Sequence, residues 1–249
     1  MNIKIIVATH KQYRMPSDPA YLPIHVGKSG KRFLGYEGDD TGENISEKNA
    51  NYCELTGLYW AWKNLDADVI GLAHYRRHFM SPFRGGSKWE RIITVGELDE
   101  LCGRYDIIVS HKRKYYIENN YSHYIHAHHK EGLDLLCKII KDYYPHYART
   151  CDIVMNRSWG HMFNMFIMKR DYCDRYCEWL FDILFKAEER LDISSYSAVE
   201  VRVFGYISEF LLDIWIENNG YKYGEIPVKF MEWQNWLVKG GRFLMRKFL

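Results

Sequence analysis

Across its 249 residues this chain never sustains a long apolar run. Met1-Asn2-Ile3-Lys4 leads into a stretch with only five apolar residues, Ile3 and Ile5 to Ala8, too few for a signal-peptide core or a membrane span. A cytoplasmic chain is the expectation. Charge of one sign is lacking too: 34 Lys and Arg stand against 32 Asp and Glu, a net +2, which gives no global signature of nucleic-acid binding. No CxxC pair occurs among the six cysteines (53, 102, 137, 151, 173 and 177), so structural zinc is not expected and reduced thiols are. Gly27-Lys28-Ser29-Gly30-Lys31 lacks the GxxxxGK[ST] spacing and a preceding strand, which rejects a phosphate loop of that kind. The dense His123, His126, His128, His129 segment has neither HExxH spacing nor a cysteine partner, so it reads as a surface helix or the wall of a binding site. No repeat, low-complexity tract or clear linker divides the chain.

What the chain does have is apolar and aromatic bulk. With 47% hydrophobic residues it can bury a substantial core as one domain. Its 20 Tyr and 8 Trp supply rings that pack in a core or stack on sugars and bases at half-wet sites. Ile3 to Ala8 reads as a buried parallel strand ending in Thr9-His10-Lys11. Residues 12–50 are broken by Pro16, Pro19, Pro23 and several glycines and read as an irregular binding loop. A helix over 44–64, with Ser46 as its N-cap, precedes a strand over 68–73. A further strand spans 106–109, a helix 131–144, a strand-like run 162–168, and helices 171–190 and 206–218. Strands alternating with helices predict an α/β mixed sheet flanked by helices, as a single domain. The last residues, 233–249, interleave Trp and Phe with Lys and Arg and suit contact with a membrane interface.

Three constellations carry chemistry. The strand ending at Ala73 runs straight into His74-Tyr75-Arg76-Arg77. Clustered cations at a strand's carboxyl end are a common way to hold a phosphorylated ligand, and the Arg fork suits diphosphate oxygens. Asp39, Asp40 and Glu43 in GDDTGEN form either a solvated turn or a set of acceptors for sugar hydroxyls, and their spacing matches no established calcium loop. Glu209 follows Ser208 near the start of an apolar helix. There it is either a capping-region acid or a general base facing a cleft.

The runs GDDTGENISEKNANYCELTGLYWAWKN (38–64), DVIGLAHYRRHF (68–79), DIIVSHKR (106–113), HHKEGLDLLCKIIKDYYPHY (128–147), MFNMFIMKRDYCDRYCEWLFDIL (162–184) and RVFGYISEFLLDIWI (202–216) occur in this order. With them the chain resembles bacterial capsular and exopolysaccharide-biosynthesis glycosyltransferases long catalogued as a domain of unknown function. One departure is Phe210, where the family's helix reads Ile-Ser-Glu-Arg. The resemblance implies a GT-A-like fold and transfer of a sugar, galactofuranose in relatives, from a UDP-sugar to a hydroxyl of a glycan or lipid-linked glycan acceptor, with inversion. Here His74-Tyr75-Arg76 stands where such enzymes usually carry a metal-binding Asp-x-Asp. On this reading no cofactor is required, although a divalent metal at Asp39-Asp40 or Asp106 remains the alternative enzyme. Thr9, His10, Lys11, Asp39, Asp40, Asn44, Ser46, Asn49 and Tyr52 would bind the donor together with His74, Arg76 and Arg77. Glu209 would be the base, with Asp134 and His129 as fallback candidates. The non-enzyme alternative is a carbohydrate-binding or scaffold subunit of a polysaccharide assembly complex.

Overall fold

A computed structural model describes residues 1–232. The expected membrane-contact tail, 233–249, lies outside the described residues. The strands in chain order are β1 (Ile3–Thr9), β2 (Tyr21–His25), β3 (Glu37–Gly38), β4 (Val69–His74), β5 (Arg77–Phe79), β6 (Ile107–Ser110), β7 (Arg113–Lys114), β8 (Trp159–Gly160), β9 (Phe166–Lys169), β10 (Tyr223–Ile226) and β11 (Val228–Phe230). The helices are α1 (Asn49–Tyr52), α2 (Leu55–Asn64), α3 (Val95–Arg104), α4 (Asn120–Ile125), α5 (Lys130–Tyr143), α6 (Ala148–Asn156), α7 (Arg170–Glu188) and α8 (Val203–Asn218).

The main sheet runs β10-β6-β9-β4-β1-β2-β3, with β5 and β11 attached beside β4. Along that path neighbouring strands are parallel except at β9, which is antiparallel to both β4 and β6. The expected α/β mixed sheet flanked by helices is therefore what forms. Alternation along the strands splits the core in two. Ile6, Ala8, Ile70, Leu72, Ile107, Val109, Phe166 and Met168 face the layer of α2, α5, α6, α7 and α8. Ile3, Ile5, Val7, Val69, Ala73, Ile108 and Ile167 face α3 and its neighbouring segments. Because both faces are covered, the central strands read as continuous apolar runs.

Three local expectations are corrected. The irregular stretch 12–50 contains β2 and β3; Pro23 is tolerated because β3 pairs only with Ile24 and His25, leaving β1 as the sole neighbour of β2 at Pro23. The helix expected over 44–64 is broken. Cys53 adopts φ 54°, and the Asn49 amide donates to the Cys53 carbonyl (2.6 Å) and to Thr56 Oγ1 (3.1 Å), holding the break between α1 and α2. Ser46 is no N-cap; its hydroxyl donates to Asp39 at 2.5 Å. The strand expected from Met162 begins only at Phe166, since Phe163 (φ 78°) and Asn164 (φ 54°) are both left-handed.

Candidate active site

The carboxyl ends of β1, β2, β4 and β6 share one edge of the sheet. Because β9 runs the other way, its preceding loop, 161–165, arrives at that same edge. Beneath it lies a cleft of about 940 Å³. That volume suits a nucleotide-sized ligand.

The cleft wall is strongly cationic. Lys31, Arg76, Arg77, Arg113 and Arg202 line it, against Glu54 and Glu209. The tight β4–β5 turn places His74 at the end of one strand and Arg77 at the start of the next, as paired residues. The Arg77 guanidinium sits 4.4 Å from the ring centroids of both Phe163 and Phe230, and its buried Nε has no hydrogen-bond partner among the described residues. Burial lowers its pKa, yet a guanidinium keeps its charge. Arg76 lies 5.0 Å over Tyr75 and 3.6 Å from Glu232, about half exposed. His10 is held below the usual imidazole range by burial and then by Arg76, Lys11, Arg202 and Lys31.

Loop 161–165 is the hub. The Phe163 carbonyl accepts from His74 Nε2 at 2.7 Å, which fixes the ring's proton on that nitrogen. Burial holds His74 below the ordinary imidazole range. The Phe163 backbone N–H donates to Glu209. Asn164 Nδ2 donates to Glu54 Oε1 at 2.7 Å and to the Gly205 carbonyl at 3.1 Å, and its Oδ1 accepts from Ser208 at 3.1 Å. Gly205 lets α8 approach the α1–α2 break: a Cβ there would stand 3.0 Å from Cys53 Sγ. Burial, and then the Glu54 carboxylate, push Glu209 up to about 7, against the pull of the Phe163 N–H, Arg77 and Arg113. A carboxylate titrating near neutrality, enclosed among cations, is equipped to take a proton from a hydroxyl.

Of the donor-binding and catalytic residues expected from sequence, His10, Asn49, His74, Arg76, Arg77 and Glu209 line the cleft. The others do not. Thr9 is buried, with its hydroxyl donating to the Lys11 carbonyl at 2.6 Å, and Lys11 sits over Tyr75 and Tyr13. Asp39 is fully buried and accepts from the Gly27 and Lys28 amides and the Ser46 and Thr56 hydroxyls, so it staples the loop instead of meeting a ligand. Asp40 pairs with Lys28 at 3.6 Å, and Asn44 bonds the Gly42 carbonyl and the Ser46 amide. Tyr52 is buried in the core, its hydroxyl 3.1 Å from Glu188. Asp134 takes bonds from Tyr121 and Lys130 on the outer face of α5, and His129 pairs with Glu200 at 2.9 Å. Asp106 precedes β6 at the opposite edge of the sheet and is taken by Lys169 at 2.6 Å. Among the described residues no group of three or more His, Cys, Asp and Glu is arranged to hold a metal ion.

Sequence reasoning missed Glu54, Arg113, Phe163, Asn164 and Arg202 as site residues. The histidine segment lies partly in the wall: His123 and His128 line the cleft, His123 stacked on Tyr115 and His128 on Tyr206. His123 and His126 both bond Glu118. Among the described residues no helix is long and apolar enough to cross a membrane.

Residues 4–220 match the family described as a domain of unknown function, DUF4422. Among solved structures the chain is similar to the apo structure of WbbM, a bifunctional glycosyltransferase. The two are 32% identical with a TM-score of 0.86, over 92% of this chain and 45% of that one. The chain thus spans less than half the length of that protein. The comparison with curated proteins returned no match.

Proposed function

The chain belongs to the family described as a domain of unknown function, DUF4422, and from that premise we propose that it is a glycosyltransferase of polysaccharide biosynthesis. The observation that carries the reading is an enclosed carboxylate, Glu209, facing a cleft lined by five Lys and Arg side chains (Lys31, Arg76, Arg77, Arg113 and Arg202). The likeness to WbbM adds support for sugar transfer. The donor is a UDP-sugar, with galactofuranose the best candidate, and the acceptor is a hydroxyl of a glycan or lipid-linked glycan.

In the proposed reaction Arg76 and Arg77 engage the donor diphosphate, with Lys31, His10 and Arg202 at the same end of the cleft. Glu209 removes the acceptor hydroxyl proton as that oxygen attacks the anomeric carbon. The bond from the anomeric carbon to the β-phosphate oxygen breaks, and its electron pair leaves with UDP. Attack opposite the leaving group inverts the anomeric centre. Fixed guanidinium groups stabilise the charge that develops on the diphosphate. They supply in this proposal what a divalent metal supplies in other transferases, so turnover is expected to need no added metal.

The test is UDP release from a panel of UDP-sugars, including UDP-galactofuranose generated in situ, with a synthetic galactoside as acceptor, with and without EDTA. Release that persists in EDTA with one donor supports the cationic site and names the sugar. Release abolished by EDTA removes the metal-free mechanism. Acceptor binding without UDP release from any donor replaces the enzyme with a carbohydrate-binding subunit.

A further inference from the structure

Glu54 is the second carboxylate in the cleft, and its surroundings are unusual. It lies between the left-handed Cys53 and the start of α2 at Leu55, and it lines the cavity. The same wall carries five Lys and Arg, yet among the described residues Glu54 makes no ion pair. Only its Oε1 is bonded, by the Asn164 amide at 2.7 Å. Asn164 is itself buried and left-handed; its Nδ2 also donates to the Gly205 carbonyl, and its Oδ1 accepts from Ser208 of α8. One amide therefore fixes Glu54, a lining residue of the cleft, relative to the helix that carries Glu209, and leaves Oε2 without a hydrogen bond among the described residues. Keeping two carboxylates together in a partly dehydrated site costs stability unless a ligand completes the arrangement. An unpaired carboxylate repels phosphate and accepts from neutral hydroxyls. Glu54, beside Arg77 and Arg202, thus offers a neutral sugar hydroxyl an acceptor next to the guanidinium groups that suit phosphate.

We propose that Glu54 is a specificity-determining residue that accepts a hydroxyl of a bound sugar through its free oxygen, with Asn164 as the positioning residue that aims it. The proposal rests on the transferase reading above and deepens it. Facing the two carboxylates are His74 and Arg77 from the β4–β5 turn and Arg113 and Tyr115 from the segment that carries β7. Cys53 at the helix break, with Arg202 and Tyr206 from the α8 side, completes the surroundings. Neutralising Glu54 removes a negative neighbour of Glu209, so the acid limb of the pH–rate profile moves to lower pH.

The experiment uses the full chain with UDP-galactofuranose and a synthetic galactoside, each also supplied as single-deoxy analogues. Glu54→Gln keeps an oxygen for Asn164 and is expected to lower kcat/KM by about 10- to 100-fold, the loss of one charge-assisted hydrogen bond. Its acid limb shifts to lower pH, and it no longer distinguishes the parent sugar from the deoxy analogue lacking the bonded hydroxyl. Whether that analogue is of the donor or the acceptor identifies which sugar Glu54 holds. Asn164→Asp, which sets an acceptor against Glu54, reproduces the kinetic loss. Asn164→Gly preserves the left-handed backbone and controls for folding. Glu54→Gln kinetics within about twofold of wild type, with full discrimination and an unmoved acid limb, overturn the proposal while a dead Glu209→Gln leaves the transferase reading standing. If no donor turns over, that reading fails separately; calorimetry of the galactoside then decides, and equal affinity for wild type and Glu54→Gln overturns the Glu54 assignment.

Discussion

Two carboxylates stand one turn apart on α8 and meet opposite fates. Asp213 is taken on all sides: Arg157 Nη2 lies 2.6 Å away, the His161 amide donates at 3.0 Å, and the His161 ring bonds its other oxygen. Burial works to raise its pKa, but His161 and Arg157 outweigh burial and hold the carboxyl below its usual range. Glu209 receives one backbone N–H, has Glu54 for a neighbour, and is pushed up to about 7. The helix is the same, though Asp213 is buried and Glu209, half-buried, lines the cleft. Partners make the difference. A buried carboxylate whose lone pairs are filled holds structure together, and one left short of donors is ready to exchange a proton.

The sharpest way to break this contrast is to neutralise each acid in turn. Glu209→Gln is expected to reduce kcat by about 10²–10⁴-fold, read as UDP release, with no fall in Tm. Asp213→Asn strips the Arg157 guanidinium, only 11% exposed, of its main buried partner. It is expected to cost about 3–5 kcal/mol in urea unfolding while the folded fraction keeps turnover. Transposed results, with Glu209→Gln unfolding and Asp213→Asn merely inactive, would erase the distinction.

The pH dependence of stability separates the pair next. The folded pKa of Glu209 is raised from 4.5 to about 7, so the native state binds more protons than the unfolded chain across that window. Its contribution is full below the unfolded pKa and is lost as pH rises through the folded one, about 3 kcal/mol in all. Asp213, shifted downward, contributes above its unfolded pKa and loses that contribution as pH falls. Denaturant unfolding at pH 5 and pH 8 should therefore show Glu209→Gln gaining on wild type as pH rises; parallel curves would refute the assignment. The smallest effect concerns the cations. Arg76→Ala should lower kcat/KM about tenfold and leave the acid limb in place, because Arg76 serves the ligand. Arg77→Ala should move that limb to higher pH, since Arg77 also favours ionised Glu209.

Apolar periodicity was a good guide where tertiary packing agrees with local pattern. β1, β4, β6, α5 and α7 fall where Val, Ile and Leu spacing puts them. β2 was hidden by Pro23, and β3 is only two residues long. The break at Cys53 was hidden because Tyr52, Leu55, Leu58 and Tyr59 keep a helical period straight across it. Cys53 is held left-handed by contacts from Asn49 and Arg202, the latter 149 residues away in sequence. Glu54 lies at the same break and lines the cleft, so the feature that period reasoning smoothed over is part of the site. In MFNMFIM the alternation is that of a strand, and nothing in it announces two successive left-handed residues. Asp39 misled for a different reason. A carboxylate's availability depends on which donors fold onto it, and its donors arrive from Gly27, Lys28, Ser46 and Thr56. The basic turn after β4 was legible because strand end, cation type and sheet edge coincide there.

The reversed strand has a consequence for how this protein comes into being on the ribosome. β4 and β6 never touch; β9 lies between them and pairs with both. The first 75 residues can build β3-β2-β1-β4, but a nascent chain that stops short of Phe166 leaves β4 with a bare edge along most of its length. Long-range closures of this kind are slow, and unpaired edges invite association with other chains. β9 is thus a keystone laid late in synthesis. Its lead-in loop brings Phe163 and Asn164 with it, so joining β4 to β6 also sets the hub of the cleft, ready for α8, β10 and β11 to follow.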